Sequence, residues 1–183
     1  MSSRQGQLLL ATSSLEDPNF ERTVVLLVQH TAEGALGLVL NRPSDTPLRE
    51  AWEQVADSPC NVDRPLYQGG PCEGPLMLLH GRADLSQIEV LPGVHFTTEP
   101  EDIAWLLEHH DGPVLAFTGY AGWAPHQLEG ELATGSWRLA QADADLVLNA
   151  DEDLWTNVMK AIDPIHAQLA RNPKLKPPDP SVN

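Results

Sequence analysis

The sequence predicts a single α+β domain on a mixed or mainly antiparallel sheet. Three observations carry that. Strand-like apolar runs and helix-like stretches are interspersed along the chain. Two of the runs, "RTVVLLVQH" (22–30) and "ALGLVLN" (35–41), are separated only by "TAEG", a connection short enough for a hairpin and not for a crossover. The 183 residues suit one domain with a real core, and no internal repeat marks a second. The domain is expected to span residues 1–164, followed by a polar, proline-rich and flexible tail over 165–183.

Each element has its own signal. "QLLLAT" (7–12) reads as the first strand. In the hairpin, pairing His30 with Ala35 sets Val24 against Asn41 and Thr23 against Arg42. One face then carries Val24, Leu26 and Val28 with Val39, the other Val25 and Leu27 with Leu36, Leu38 and Leu40. Both faces are apolar, so both should be covered. "PLREAWEQVAD" (47–57) reads as a helix capped by Thr46 with Pro47 in its first turn. "PLMLLHG" (75–81) is a buried strand and "VHFTT" (94–98) a weaker one. "TEPEDIAWLLEHHDG" (98–112) is the clearest helix, with Thr98 and Glu101 at capping-box spacing and an apolar stripe of Ile103, Leu106 and Leu107. "PVLAFTGY" (113–120) is a strand, "PHQLEGELATG" (125–135) a short helix weakened by Gly130, "SWRLAQ" and "DLVLNA" short strands, and "DEDLWTNVMKAI" a final helix.

Net charge is −15 with a pI near 4.6. That disfavours direct nucleic-acid binding, whose affinity comes largely from Lys and Arg displacing counterions. No Lys or Arg lies between Arg82 and Arg138, and all three lysines fall at or beyond position 160. No apolar stretch approaches the roughly 20 residues of a membrane helix, and no signal peptide opens the chain, so a cytoplasmic protein is expected, with Cys60 and Cys72 as free thiols.

The motif survey leaves catalysis without a constellation. Dinucleotide, P-loop, zincin and hydrolase-elbow patterns are missing, so no catalytic residue, metal or cofactor is assigned. "GGPCEG" (69–74) reads as a loop and Cys72 as a small loop residue, since nothing in the sequence places a base beside it. Adjacent His109 and His110 point to different sides of a helix and suit no common metal. Arg42, in "NRP", is expected near Arg22, so two guanidiniums gather at one sheet end as a small-anion site or as solvated or carboxylate-paired arginines.

"GYAGWAPHQLEGE" (119–131) concentrates three glycines, a proline and two large aromatics. It reads as a tight strand-to-helix turn in which Gly119 and Gly122 allow close backbone approach and Tyr120 and Trp123 fill the gap. The same geometry suits docking, with Tyr120 and Trp123 as a platform, Gln127 as an orienting amide, and Asn41 with Arg42 as a neighbouring wall. Residues Asn41, Arg42, Gly119, Tyr120, Gly122, Trp123 and Gln127 are therefore the candidates for binding a small ligand or protein partner.

"GQLLLATSSLEDPNFERTVVLLVQHTAEGALGLVLNRP", "YQGGP", "LH" at 79–80, "FTGYAGWAPHQLEGELATGSW" and "DLW" at 153–155, in that order, resemble the YqgE/AlgH family of bacterial proteins over nearly the whole chain. Cys72, Ala124 and His126 depart from its pattern. The resemblance implies one α+β domain with a bent, partly barrel-like sheet flanked by helices. It implies no agreed catalytic residues, and the AlgH name carries a link to transcriptional control. A non-catalytic binding or regulatory protein is the leading expectation; a DNA-associated regulator and an enzyme of unknown type are the alternatives.

Overall fold

The computed structural model describes residues 2–163; the tail predicted over 165–183 lies outside them. In chain order the strands are β1 (Leu8–Ala11), β2 (Val24–Thr31), β3 (Gly34–Val39), β4 (Pro43–Pro47), β5 (Pro65–Gln68), β6 (Met77–His80), β7 (Ile88–Leu91), β8 (Val94–Thr97), β9 (Val114–Thr118), β10 (Ala121–Trp123) and β11 (Trp137–Ala140). The helices are α1 (Leu48–Glu53), α2 (Pro100–His109), α3 (Gln127–Ala133), α4 (Ala144–Leu148) and α5 (Leu154–Ile162).

The strands form two sheets rather than one, and neither closes into a barrel. The first is antiparallel, in the order β10-β3-β2-β1-β11. The second, β4-β5-β9-β6-β8-β7, is mixed, with a single parallel pair, β5 and β9. The α+β class follows as the hairpin required.

Three apolar clusters explain the layering. Leu8, Leu10, Val24, Leu26, Leu38 and Leu40 face Leu79, Phe96, Leu115 and Phe117 of the second sheet, with α4 and α5 closing the same core. The other face of the second sheet (Leu78, Val114, Ala116) packs on α1 and α2, whose Ile103, Leu106 and Leu107 form the predicted stripe. The other face of the first sheet (Leu9, Val25, Leu27, Val39) is covered by Leu128 of α3 with Trp123 and Trp137. Both faces of the hairpin are thus buried, as an all-apolar strand pair demands.

The hairpin register departs from the prediction midway. His30 opposes Ala35, but a bulge between Leu27 and Gln29 shifts the pairing, so Leu26 meets Leu38 and Val25 meets Val39. The extra residue turns every later side chain of β3 to the other face. Leu38 and Leu40 therefore join Val24 and Leu26, and Val39 joins Val25, the reverse of the predicted faces.

Other local differences have physical causes. "DLVLNA" contributes to helix α4 instead of a strand, because the Asp143 carboxylate accepts the Leu146 N–H at 2.9 Å and caps a turn. Thr46 and Pro47 belong to strand β4, so α1 begins one residue later without a side-chain cap. Thr98 does not box α2: its N–H and hydroxyl both donate to Gln87. β4, β5, β7 and β10 are too short or too proline-rich to carry a periodic signal.

Candidate functional site

Asn41 follows β3 and acts on backbone. Its Oδ1 accepts the Val24 N–H and its Nδ2 donates to the Arg22 carbonyl, both at 2.9 Å, so the buried amide continues the ladder where the strands part. That tie holds Arg22 in the left-handed region, φ 54°, at a cost of roughly 1–2 kcal/mol for a residue with a Cβ. Strain of this kind clusters at functional positions.

Arg22 and Arg42 line the same cleft, about 480 Å³, with Glu21, Asn41, Pro43, Glu152, Asp153, Trp155 and Thr156. The Arg22 guanidinium donates to the Thr156 hydroxyl at 3.2 Å and lies 5.0 Å from the centre of the Trp155 ring. Trp155 is itself anchored, its indole N–H donating to the Ala11 carbonyl at 2.9 Å. Arg42 donates to the Glu21 carbonyl. Among the described residues neither arginine forms an ion pair, whereas Arg82 pairs with Asp84 and Asp111 and Arg138 with Asp163. The two guanidiniums do gather at one sheet end.

The glycine-aromatic corner is a closure between segments. Gly119 has φ 72°, and a Cβ there would stand 2.5 Å from the Gly70 carbonyl oxygen, so "GG" and "TGY" cross backbone against backbone. Cys72 and Tyr120 exchange two backbone hydrogen bonds of 3.0 Å across the same crossing. Gly122 is exposed, and the half-buried Tyr120 ring lies against it and Gly74. The chain does not turn straight into a helix after Tyr120. Ala121–Trp123 first pair with β3 as an edge strand, and α3 starts only after His126, at φ 64°.

Trp123 is 6% exposed and its indole N–H donates to Glu131 Oε2 at 2.9 Å. Trp137 donates to the same oxygen at 2.8 Å. Gln127, exposed, donates to Glu131 Oε1 at 3.0 Å and accepts the Ala124 N–H at 3.0 Å. Glu131 is the hub of the corner, and nothing in the sequence separated it from the other surface acids.

The corner and the arginine cleft are separate places. Trp123 lines a smaller depression, about 270 Å³, with Gln29, Thr31, Glu33 and Gly34–Leu36, and these share no residue with the cleft. Trp123 pairs with Ala35 at the turn end of the hairpin, while Asn41 and Arg42 sit past its other end, about 20 Å away at 3.3 Å per residue. The candidates fall into two groups, Asn41 with Arg42, and Gly119 through Gln127.

Two histidines are placed by burial. The His30 Nδ1 accepts the Arg4 N–H at 3.0 Å, which puts the ring proton on Nε2, donating to Glu129 at 2.8 Å. The Glu129 backbone N–H, and then His30, hold that carboxyl below its usual range. His80 is 1% exposed and burial, reinforced by His95, pushes it down to about 4. No group of three or more His, Cys, Asp or Glu among the described residues is placed to hold a metal ion, and no described helix is long and apolar enough to cross a membrane. Cys60 and Cys72 are unbridged.

Comparison with known proteins agrees with this architecture. A UPF0301 protein of Chlorobium chlorochromatii is 36% identical over 93% of this chain and 92% of its own length. One of Streptomyces avermitilis is 35% identical over 100% and 97%. The solution structure of the AlgH protein from Pseudomonas aeruginosa superposes with a TM-score of 0.73 at 31% identity, covering 88% of this chain and 90% of that one. A crystal structure of a Corynebacterium diphtheriae protein at 24% identity has the same TM-score and shares the fold. The family described as AlgH-like matches residues 8–166, and the chain belongs to it.

Proposed function

We propose that this protein is a non-catalytic binding protein that takes a small acid-bearing ligand, a carboxylate or phosphate, between Arg22 and Arg42. One observation carries the reading: Arg22 and Arg42 line one cleft, and among the described residues neither forms an ion pair with the carboxylates of Glu21, Glu152 and Asp153 that line it too, in a chain that carries −15 overall. Arginine keeps its charge across the accessible pH range and presents a planar fork matched to such groups, which suits holding an anion and not moving a proton. The backbone tie through Asn41 and the Trp155 stack preorganise Arg22, so little ordering entropy is lost on binding.

Isothermal titration with inorganic phosphate and with acetate, at low and at physiological salt, tests it. Binding to the wild type should weaken about 10-fold or more in Arg42→Gln, the loss of one charge-assisted hydrogen bond. No binding of either anion, or equal binding by the variant, would overturn the reading.

A further inference from the structure

His80 ends β6, a strand inside the second sheet. Side chains alternate along a strand, so His80 shares with Leu78 the face that packs on α2. Its cross-strand neighbours are Val114 of β9 and His95 of β8. There it lines a cavity of about 260 Å³ whose walls include Arg82, Leu106, His110, Pro113 and Val114.

The backbone fixes the state of this ring. Its Nδ1 accepts the Arg82 N–H at 3.1 Å, so the lone pair is there and the ring proton is on Nε2. Burial first, and His95 second, hold the pKa down to about 4, so the ring is uncharged at neutral pH. The Nε2–H is therefore a committed donor, and among the described residues nothing accepts from it. With the side chain 1% exposed, bulk water does not make up the loss. A buried donor without an acceptor is rare enough to call for a reason, and here it belongs to a side chain in a cavity wall.

We propose that this cavity binds a small uncharged molecule whose carbonyl oxygen accepts from His80 Nε2–H. Other classes of ligand each meet an obstacle. A metal ion needs a lone pair on Nε2, and the Arg82 N–H keeps the lone pair on Nδ1. An anion finds no free charge, because the Arg82 guanidinium is paired with Asp84 and Asp111, and Asp84 and Asp102 lie near enough to act on the ring. A cation finds a donor where it needs an acceptor. Leu106, Pro113 and Val114 suit the carbon part of an uncharged ligand, and the volume suits one smaller than the usual drug-sized molecule. The cavity shares no residue with the arginine cleft, and the inference does not depend on what that cleft binds.

The test is a titration of the full chain at neutral pH, followed at the His80 ring by long-range proton–nitrogen NMR. The probes are 2-pyrrolidinone and N-methylacetamide, with acetate and methylammonium beside them. The free protein should show the ring proton on Nε2. Both amides should move that N–H resonance and saturate, with a Kd on the order of millimolar for ligands of so few atoms, while acetate and methylammonium leave it in place. In His80→Asn, whose amide can still accept the Arg82 N–H, amide binding read at the Leu106 and Val114 methyl groups should weaken about 10-fold or more. Arg42→Gln should bind the amides as the wild type does. The wild-type shift is read at the nitrogen itself, so it decides the matter even if the histidine variant fails to fold. No saturable shift with either amide, an equal shift with acetate, or full binding by folded His80→Asn overturns the proposal. So does an Nε2–H resonance held by an ordered water only and indifferent to every probe.

Discussion

Trp123 and Trp137 donate their indole N–H groups to one and the same carboxylate oxygen of Glu131, at 2.9 and 2.8 Å, with their rings edge to face 6.1 Å apart. The two tryptophans lie on the two edge strands of the first sheet, so a single acid on α3 ties both edges and pins the helix over the sheet. That accounts for the aromatic surface of the corner, since each indole needs a partner for its polar end when buried.

Glu131→Ala should therefore destabilise by about 2–4 kcal/mol, because it leaves two buried donors without an acceptor. Glu131→Gln keeps an acceptor but sets an amide N–H₂ against a donor, and should cost about 1–2 kcal/mol. Urea unfolding at neutral pH measures both; equal stability of all three proteins would show that the shared oxygen contributes nothing.

The glycines of the corner should separate by what surrounds them. Gly119→Ala meets a carbonyl oxygen at 2.5 Å in a left-handed conformation, and should cost about 3 kcal/mol or fail to fold. Gly130 has nothing within 4 Å and sits inside α3, so Gly130→Ala should stabilise by about 0.5–1 kcal/mol. Thermal melts of the pair give opposite signs if the crossing of "GG" and "TGY" is as tight as described.

His80 makes stability depend on acid pH. Its folded value, about 4, lies below the ordinary 6.5, through burial first and His95 second. As pH falls the unfolded chain takes up the proton first, so stability is whole above about 6.5 and is lost progressively toward 4. The loss from this group at pH 4.5 should be about 2–3 kcal/mol. His80→Asn, which can still accept the Arg82 N–H, should flatten that part of the pH dependence in denaturant unfolding between pH 7 and 4.5.

Asn41→Ala should lower stability by about 1–3 kcal/mol, since the Val24 N–H loses its acceptor in the core. It should also weaken any anion bound in the arginine cleft, because the tie to the Arg22 carbonyl is lost with it. Asn41→Asp should be at least as damaging at neutral pH, setting a carboxylate oxygen against that carbonyl. Comparison of unfolding and phosphate titration for the two variants separates the structural role from the positioning one.

The chain's own pattern determined a good deal: the α+β class, the hairpin with both faces buried, the stripe of Ile103, Leu106 and Leu107, and the gathering of Arg22 with Arg42. These are local or depend on one short connection, so spacing alone expresses them. Only the tertiary structure decided the bulge that exchanged the faces of β3, because one unpaired residue leaves no mark on an all-apolar strand. It also decided the division into two sheets, the edge strand within "AGW", and the Asp143 cap that made "DLVLNA" helical. The partners of Arg22 come from α5, more than 130 positions away, and Glu131 differs from other surface acids only in having two indoles within reach. Such groupings are set by long-range packing, in which chemistry depends on which elements meet and sequence distance carries no information about it.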